Sequence, residues 1–262
     1  IRRRPGGVAL NIAIALVRQG QEAALITSIG DDAQGNALIA ELEAEGVNCD
    51  YVTRVSDPTD NYLAIETTAG SVFAAIADCA SLEKAGDSVL SPVRDGTLAD
   101  CNTPWQGTAI IDGNLPVSVL HSISENQDFA EANLSFVPAS PGKAERLRTV
   151  LKAQSGTLFV NKGEAEILCK QKFGSAAEAG ERLRQLGAHR SIVTDGPNPS
   201  ALCSAAQSIT VTPPSIDAIT TTGARDVFLA AYVAAETLNY SPSEAMEAAV
   251  NAAAEHVMKE TV

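Results

Sequence analysis

The sequence predicts an α/β fold in which a mostly parallel sheet is covered by helices. Two observations lead there. Short apolar runs alternate with longer segments whose apolar residues recur at helical spacing, the pattern of repeated β–α units. The apolar runs also finish on polar residues, which places a row of polar groups at the carboxyl ends of the strands, where open α/β sheets bind ligands. The chain has 262 residues, of which 45% are hydrophobic and only 4% aromatic. That length suits one large domain, and its core must be packed mainly by Ala, Val, Ile and Leu.

In chain order, Pro5-Gly6-Gly7 is a breaker cluster, and Val8, Ile12, Ala15 and Leu16 then recur at helical spacing up to Gly20. Residues 23–27 (Ala-Ala-Leu-Ile-Thr) read as a short buried strand. Asp31-Asp32 opens a helix carrying Leu38, Leu42 and Glu45 and stopping before Gly46. Two β-prone runs, 62–67 and 71–77, flank Thr68-Ala69-Gly70 and predict a hairpin, either a lid or an antiparallel edge pair of the main sheet. Residues 86–106 are polar and turn-rich and read as irregular. Buried strands are expected at 109–111, 134–137, 158–160 and 191–194, finishing at Asp112-Gly113-Asn114, Pro138, Asn161 and Asp195-Gly196. Helices are expected over 142–154, 174–187, 223–239 and 242–259. There is no internal repeat or interdomain linker.

Composition excludes several function classes. Lys and Arg number 19 against 32 Asp and Glu, a formal net charge of −13. No basic stripe exists to neutralise a nucleic-acid backbone, and Arg2-Arg3-Arg4 reads as a solvated tail. The five cysteines (49, 79, 101, 169 and 203) are scattered without a C-x-x-C pair, so they predict reduced thiols in a cytoplasmic protein rather than a zinc site or disulfide framework. No apolar run approaches the ~20 residues of a membrane span. His121, His189 and His256 show no metal-ligand spacing. Neither a G-x-S-x-G elbow nor a G-x-x-x-x-G-K-[ST] phosphate loop occurs.

Thr220-Thr221-Thr222-Gly223-Ala224-Arg225-Asp226 is the most informative stretch. Small residues and a Gly precede a helix with an acid in its first turn. Free N–H groups and the positive end of the dipole at such a start bind anions, and a carboxylate beside them can take a proton from an alcohol during phosphoryl transfer. The same letters also describe an ordinary capped helix. Asn161 and Glu164, three apart after a strand, could hold a hydrated Mg²⁺ or form a capping box. Thr194 and Gly196 end a strand where a nucleotide phosphate or ribose could sit. Gly6 and Gly7, with Asn11 on the following helix, could bring backbone close to a sugar.

The order of these motifs, Gly6-Gly7-x-x-x-Asn11, Asn161-x-x-Glu164, Val193-Thr194-x-Gly196, Thr222-Gly223-Ala224-x-Asp226 and the Ala-rich Asn251-Ala252-Ala253-Ala254, resembles the ribokinase-like (PfkB) carbohydrate kinases over essentially the whole chain. Tyr62-Leu63-Ala64, Ala75-Ile76-Ala77-Asp78, Asp112-Gly113-Asn114 and Val137-Pro138-Ala139-Ser140-x-x-Lys143-Ala144 look most like pseudouridine kinases. The resemblance implies a three-layer α/β/α sandwich with a small β lid that includes 61–77, and an ATP-dependent transfer of phosphate to a hydroxymethyl group of a ribose-type sugar or nucleoside. Asp226 would be the base, and the amides of Gly223, Ala224 and Arg225 the anion hole. Gly6, Gly7 and Asn11 would touch the sugar. Asn161, Thr194, Gly196 and Asn251 would line the ATP pocket, with Glu164 organising Mg²⁺ through water. Lid edges could pair two copies into a homodimer.

This sequence departs from the family pattern at three places. Arg225 stands where the family has Gly. Thr220 stands where many members have an Asp of a monovalent-cation site, which puts that cation in doubt. Pro197-Asn198-Pro199-Ser200 lacks the usual second Gly. The chain begins with Ile, and the resemblance places the family's first strand, with its sugar-contacting Asp, and the first lid strands before residue 1.

Overall fold

The computed structural model describes residues 5–66, 72–78, 80–153, 156–216 and 223–259. Arg2–Arg4, the hairpin tip at Thr68-Ala69-Gly70, Cys79 and Thr220–Thr222 lie outside these residues.

Helix α1 (Val8–Arg18) leads to strand β1 (Thr27–Gly30), helix α2 (Ala33–Ala44) and strand β2 (Val52–Val55). Strands β3 (Asn61–Glu66) and β4 (Val72–Asp78) form the hairpin. Helix α3 (Ser81–Ala85) runs into a 3-10 helix, Gly86–Val93, and then come β5 (Thr108–Asp112), α4 (Val117–Glu125) and β6 (Asn133–Val137). A second long 3-10 segment, Pro141–Val150, precedes β7 (Thr157–Asn161), α5 (Lys162–Cys169) and α6 (Ala176–Gln185). The chain continues through β8 (Arg190–Asp195), β9 (Asn198–Ser204), β10 (Ser208–Val211), α7 (Ala224–Thr237) and α8 (Pro242–Lys259).

The main sheet has six strands in the order β10-β9-β8-β7-β6-β5. β5 to β8 are parallel, and β9 and β10 add antiparallel strands at one side. Successive side chains of a strand point to opposite faces, and the core divides accordingly. Leu158 and Val160 of β7 pack with α4, α5 and α6 on one face, while Phe159 packs with α1, α7 and α8 on the other. This is the three-layer arrangement the β–α alternation predicts. On the α7 face the contact is close because small residues line it. Phe228 through Ala235 are all buried, and the Ala-rich α8 lies against them.

β1 and β2 form a separate parallel pair, and β3–β4 a separate antiparallel one. The hairpin is therefore not an edge pair of the main sheet. Its bounds fall within a residue of those expected. Leu63 faces Ile76 across the ladder, and Tyr62, Leu63, Ile65 and Ile76 are all largely exposed.

Three expectations are corrected. The first strand is 27–30, not 23–27; only a single bridge, Ala24 to Asn48, forms upstream. The chain packs tightly at the end of this ladder. A Cβ on Gly30 would lie 2.4 Å from the Thr59 backbone nitrogen. The expected helix at 142–154 is a 3-10 segment ending at Val150. The stretch 86–106 begins as an ordered 3-10 helix whose Val89, Leu90 and Val93 are buried. β2, β9, β10, α3 and α4 had no counterpart in the sequence reading. Among the described residues no helix is long and apolar enough to cross a membrane.

Helix α6 reaches the sheet through Gly180, where an added Cβ would sit 2.7 Å from the Cys203 sulfur on β9. Alanine normally stabilises a helix interior relative to glycine by about 1 kcal/mol, but overpacking costs about 1–3 kcal/mol. Gly180→Ala is therefore expected to lower stability in urea unfolding, and Cys203→Ala in the same chain to recover part of the loss.

Candidate active site

The carboxyl ends of β5 to β8 and the N-termini of α1, α5 and α7 gather at one edge of the sheet. Glycine starts two of these helices. Gly7 (φ 127°) is the N-cap of α1 and Gly223 (φ 79°) that of α7. At Gly223 the backbone is left-handed, and a side chain would also press on His256, 3.0 Å from an ideal Cβ. Neither N-cap supplies a side-chain hydrogen bond, and the first N–H groups of each helix have no intrahelical partner; that of Ala9 donates to Asp112 Oδ2 at 3.3 Å.

Asp226 lies in the first turn of α7 and is 6% exposed. Its Oδ2 accepts a hydrogen bond from Asn11 Nδ2 on α1 at 2.9 Å. Its Oδ1 is buried and has no hydrogen-bond partner among the described residues. Burial pushes the Asp226 carboxyl above its usual range, opposed by the Asn11 amide and the Arg225 guanidinium. Asn11 and Asp226, 215 positions apart, are thus joined directly by the fold.

Asn161 and Glu164 form a complete capping box at the start of α5. The Asn161 side chain accepts from the Glu164 N–H at 2.8 Å, and the Asn161 N–H donates to Glu164 Oε2 at 2.9 Å. Glu164 Oε1 accepts from Arg225 Nη1 at 2.8 Å. Glu164 has no exposed surface; burial raises its pKa against the pull of Arg225. Both oxygens are committed and closed to solvent, so the donor set as it stands does not offer Glu164 to a hydrated Mg²⁺. Among the described residues no group of three or more His, Cys, Asp or Glu is placed to hold a metal ion.

Arg225 occupies the second position of α7. Its Nε is buried, has no hydrogen-bond partner among the described residues, and lies 3.6 Å from Asp226 Oδ1 in an ion pair. Thr194 sits beside Asn161 in the parallel register of β7 and β8. Gly196 (φ 57°) opens the exposed two-residue turn into β9, the positive φ that a primed hairpin turn requires at its first position. Gly6 is exposed beside Gly7, and Asn251 is exposed on α8. Among the described residues, the hydrogen bonds around Asp226 do not extend to Gly196 or Asn251.

Asp112, a strand end in the sequence and part of the pseudouridine-kinase resemblance, lies beside Asp226. It closes β5, is 8% exposed, and accepts from the Ala9 N–H on α1 and from the backbone and side chain of Asn114. Its charge raises the pKa of Asp226 further. Lys143 donates to Asn114 at 2.9 Å, and Lys162 pairs with Asp195 at 2.7 Å. A polar residue at the end of a predicted parallel strand was the available signal for Asp112 and Asp195.

The sequence matches the pfkB family carbohydrate kinase over residues 1–262. It is 30% identical over 255 residues to an uncharacterized sugar kinase, YeiI, of Escherichia coli (strain K12), covering 95% of this chain and 68% of that protein. It is 29% identical over 171 residues to the pseudouridine kinase of the same organism, covering 64% of this chain and 51% of the relative, about half its length. The structure of Arabidopsis thaliana ribokinase complexed with ribose and ATP superposes with a TM-score of 0.78 at 22% identity, covering 97% of this chain and 81% of that one. The three-layer sheet and the match along the whole sequence agree, and the chain belongs to the pfkB family of carbohydrate kinases, phosphotransferases acting on an alcohol group of a sugar.

Proposed function

We propose that this protein transfers the γ-phosphoryl group of ATP to a hydroxymethyl group of a ribose-type substrate, with Asp226 as general base. The observation that carries the reading is the Asp226 carboxylate: buried in the first turn of α7, oriented through Oδ2 by Asn11, and left with Oδ1 open to a donor. An acceptor hydroxyl would fill that vacancy. As its oxygen forms the new bond to phosphorus, the proton passes to Asp226 Oδ1, and the bond to the β–γ bridging oxygen breaks with its electron pair on ADP. The N–H groups of Gly223, Ala224 and Arg225, fixed before the reaction begins, would hold the negative oxygens of the moving group.

The 5′-hydroxyl of pseudouridine is the proposed acceptor, supported by the relative at 29% identity and by the Asp112-Gly113-Asn114 and Lys143 cluster beside the site. Thr194, Gly196, Asn161 and Asn251 are proposed to face the nucleotide. Mg²⁺ would travel with the ATP phosphates, and no step here is assigned to it. Free cysteines at 49, 101, 169 and 203 fit a reducing compartment such as the cytoplasm. β3–β4 is read as part of a lid that excludes water from the reaction. Its exposed Leu63 and Ile76 would cover the acceptor or pair with a second copy. A second reading, a member that binds nucleoside or nucleotide with little turnover, is favoured by one observation, the Arg225 side chain at the start of α7.

Incubation with ATP, Mg²⁺ and a panel of nucleosides and sugars, pseudouridine included, should give ADP stoichiometric with phosphorylated product for at least one. Asp226→Asn should lower that rate by about 10²–10⁴-fold; an unchanged rate removes Asp226 from the mechanism. The same variant should be more stable to heat than the wild type at neutral pH. A folded-state pKa raised by burial means that stability is fully present below the unfolded value and is lost as pH rises through the folded one, so the difference should shrink on acidification. For the hairpin, Leu63→Ser with Ile76→Ser should raise ADP release without acceptor if it is a lid. A fall in sedimentation coefficient at unchanged ADP release would assign the face to a dimer instead.

A further inference from the structure

We propose that Arg225 is a phosphate-binding residue of the transfer site, and that Glu164 serves the site by fixing Arg225 rather than by organising a metal ion. This rests on the reading of Asp226 as the base and adds a cation to it. Glu164 Oε1 holds Arg225 Nη1 at 2.8 Å, and the remaining oxygen is held by the Asn161 N–H. The carboxylate is buried, and parting the pair would leave it charged without a partner, which holds the guanidinium in this orientation.

The fixed orientation leaves two groups of opposite sign facing each other in an ion pair without a hydrogen bond. Among the described residues Arg225 Nε and Asp226 Oδ1, both buried, have no hydrogen-bond partner, and they lie 3.6 Å apart. Buried polar atoms without a hydrogen bond are costly and rare, and two together mark a place that a ligand would complete. An acceptor hydroxyl would donate to Asp226 Oδ1, and a phosphoryl oxygen would accept from the guanidinium, whose side chain remains 24% exposed. A guanidinium carries five N–H donors, and one is used by Glu164. The charge is also needed. Asp226, Asp112 and Glu164 converge on this end of α7, and an arriving polyphosphate would meet their repulsion without a cation among them. A fixed guanidinium reads phosphate more strongly than a mobile ammonium.

The test is titration of the protein with ATP in EDTA, followed by calorimetry, for the wild type and for Arg225→Gln, Arg225→Lys, Arg225→Gly and Glu164→Gln. Gln at position 164 preserves the capping-box geometry, so that variant should fold. Arg225→Gln and Glu164→Gln should each weaken binding by about ten-fold, the loss of one hydrogen bond to a charged group. The double variant should be little worse than either single one, and Arg225→Lys should recover part of the loss. Mn²⁺ uptake by the nucleotide-free protein, read by electron paramagnetic resonance, should be the same with Glu164→Gln as with the wild type. The proposal is overturned if Arg225→Gln binds ATP like the wild type, if Arg225→Gly binds it more tightly, if Glu164→Gln loses Mn²⁺ uptake, or if the wild type binds no metal-free ATP. These titrations need no turnover. A failure of the Asp226→Asn experiment would remove the kinase mechanism while leaving the Arg225 result to stand or fall separately.

Discussion

A carboxylate with no exposed surface, Glu164, holds the site together. It caps α5 on one face of the sheet and grips Arg225 of α7, whose core packing lies on the other face. From Arg225 the chain of contacts passes to Asp226 and on to Asn11 of α1. Three helices from both outer layers are thus pinned at the carboxyl ends of the parallel strands. Removing one partner of a buried ion pair costs about 3–5 kcal/mol, because the other is left charged and dry. The geometry around Asp226 therefore depends on a contact that cannot be exchanged for water.

The same arrangement works against stability and in favour of chemistry. Asp226 is driven towards its neutral form by burial and by Asp112, and held towards its charged form by Asn11 and Arg225. A carboxylate balanced in this way is more basic than one in water and retains an unpaired oxygen to act with. The cost is met by the apolar packing behind it. Phe228 to Ala235 are buried without interruption, and Phe159 stacks edge-on against Tyr232 at 5.5 Å. Asp226 sits on the first turn of a helix whose next two turns are core.

Much of this was legible before folding was considered. α8 has the expected bounds, and α7 begins within one residue of the expected start, because Ala-rich segments with regular apolar spacing have few alternatives. The first strand was misplaced because the apolar run 23–27 is the better β-former, whereas the ladder runs where Gly30 allows close approach. β9 was hidden by Pro197 and Pro199. Pro199 lacks a ladder N–H, and the strand accommodates it at a register shift opposite Val193 and Asp195. The 3-10 segment Pro141–Val150 has helix-like composition. Hydrogen-bond pattern, rather than composition, separates it from an α-helix.

The sequence by itself determined the class of the fold, the polar ends of the strands, and the identity of Asn11, Asn161, Glu164, Arg225 and Asp226 as residues of interest. Those follow from local periodicity and from the order of short motifs, which are properties of neighbours along the chain. Tertiary structure alone decided what each residue does beside the others. Asn161-x-x-Glu164 reads equally as a metal pair or a cap until Arg225 is seen to occupy the second oxygen. Arg225 reads as an obstruction until its guanidinium is found fixed and facing Asp226. Such assignments depend on contacts between positions 61 and 215 apart, and no local pattern encodes them.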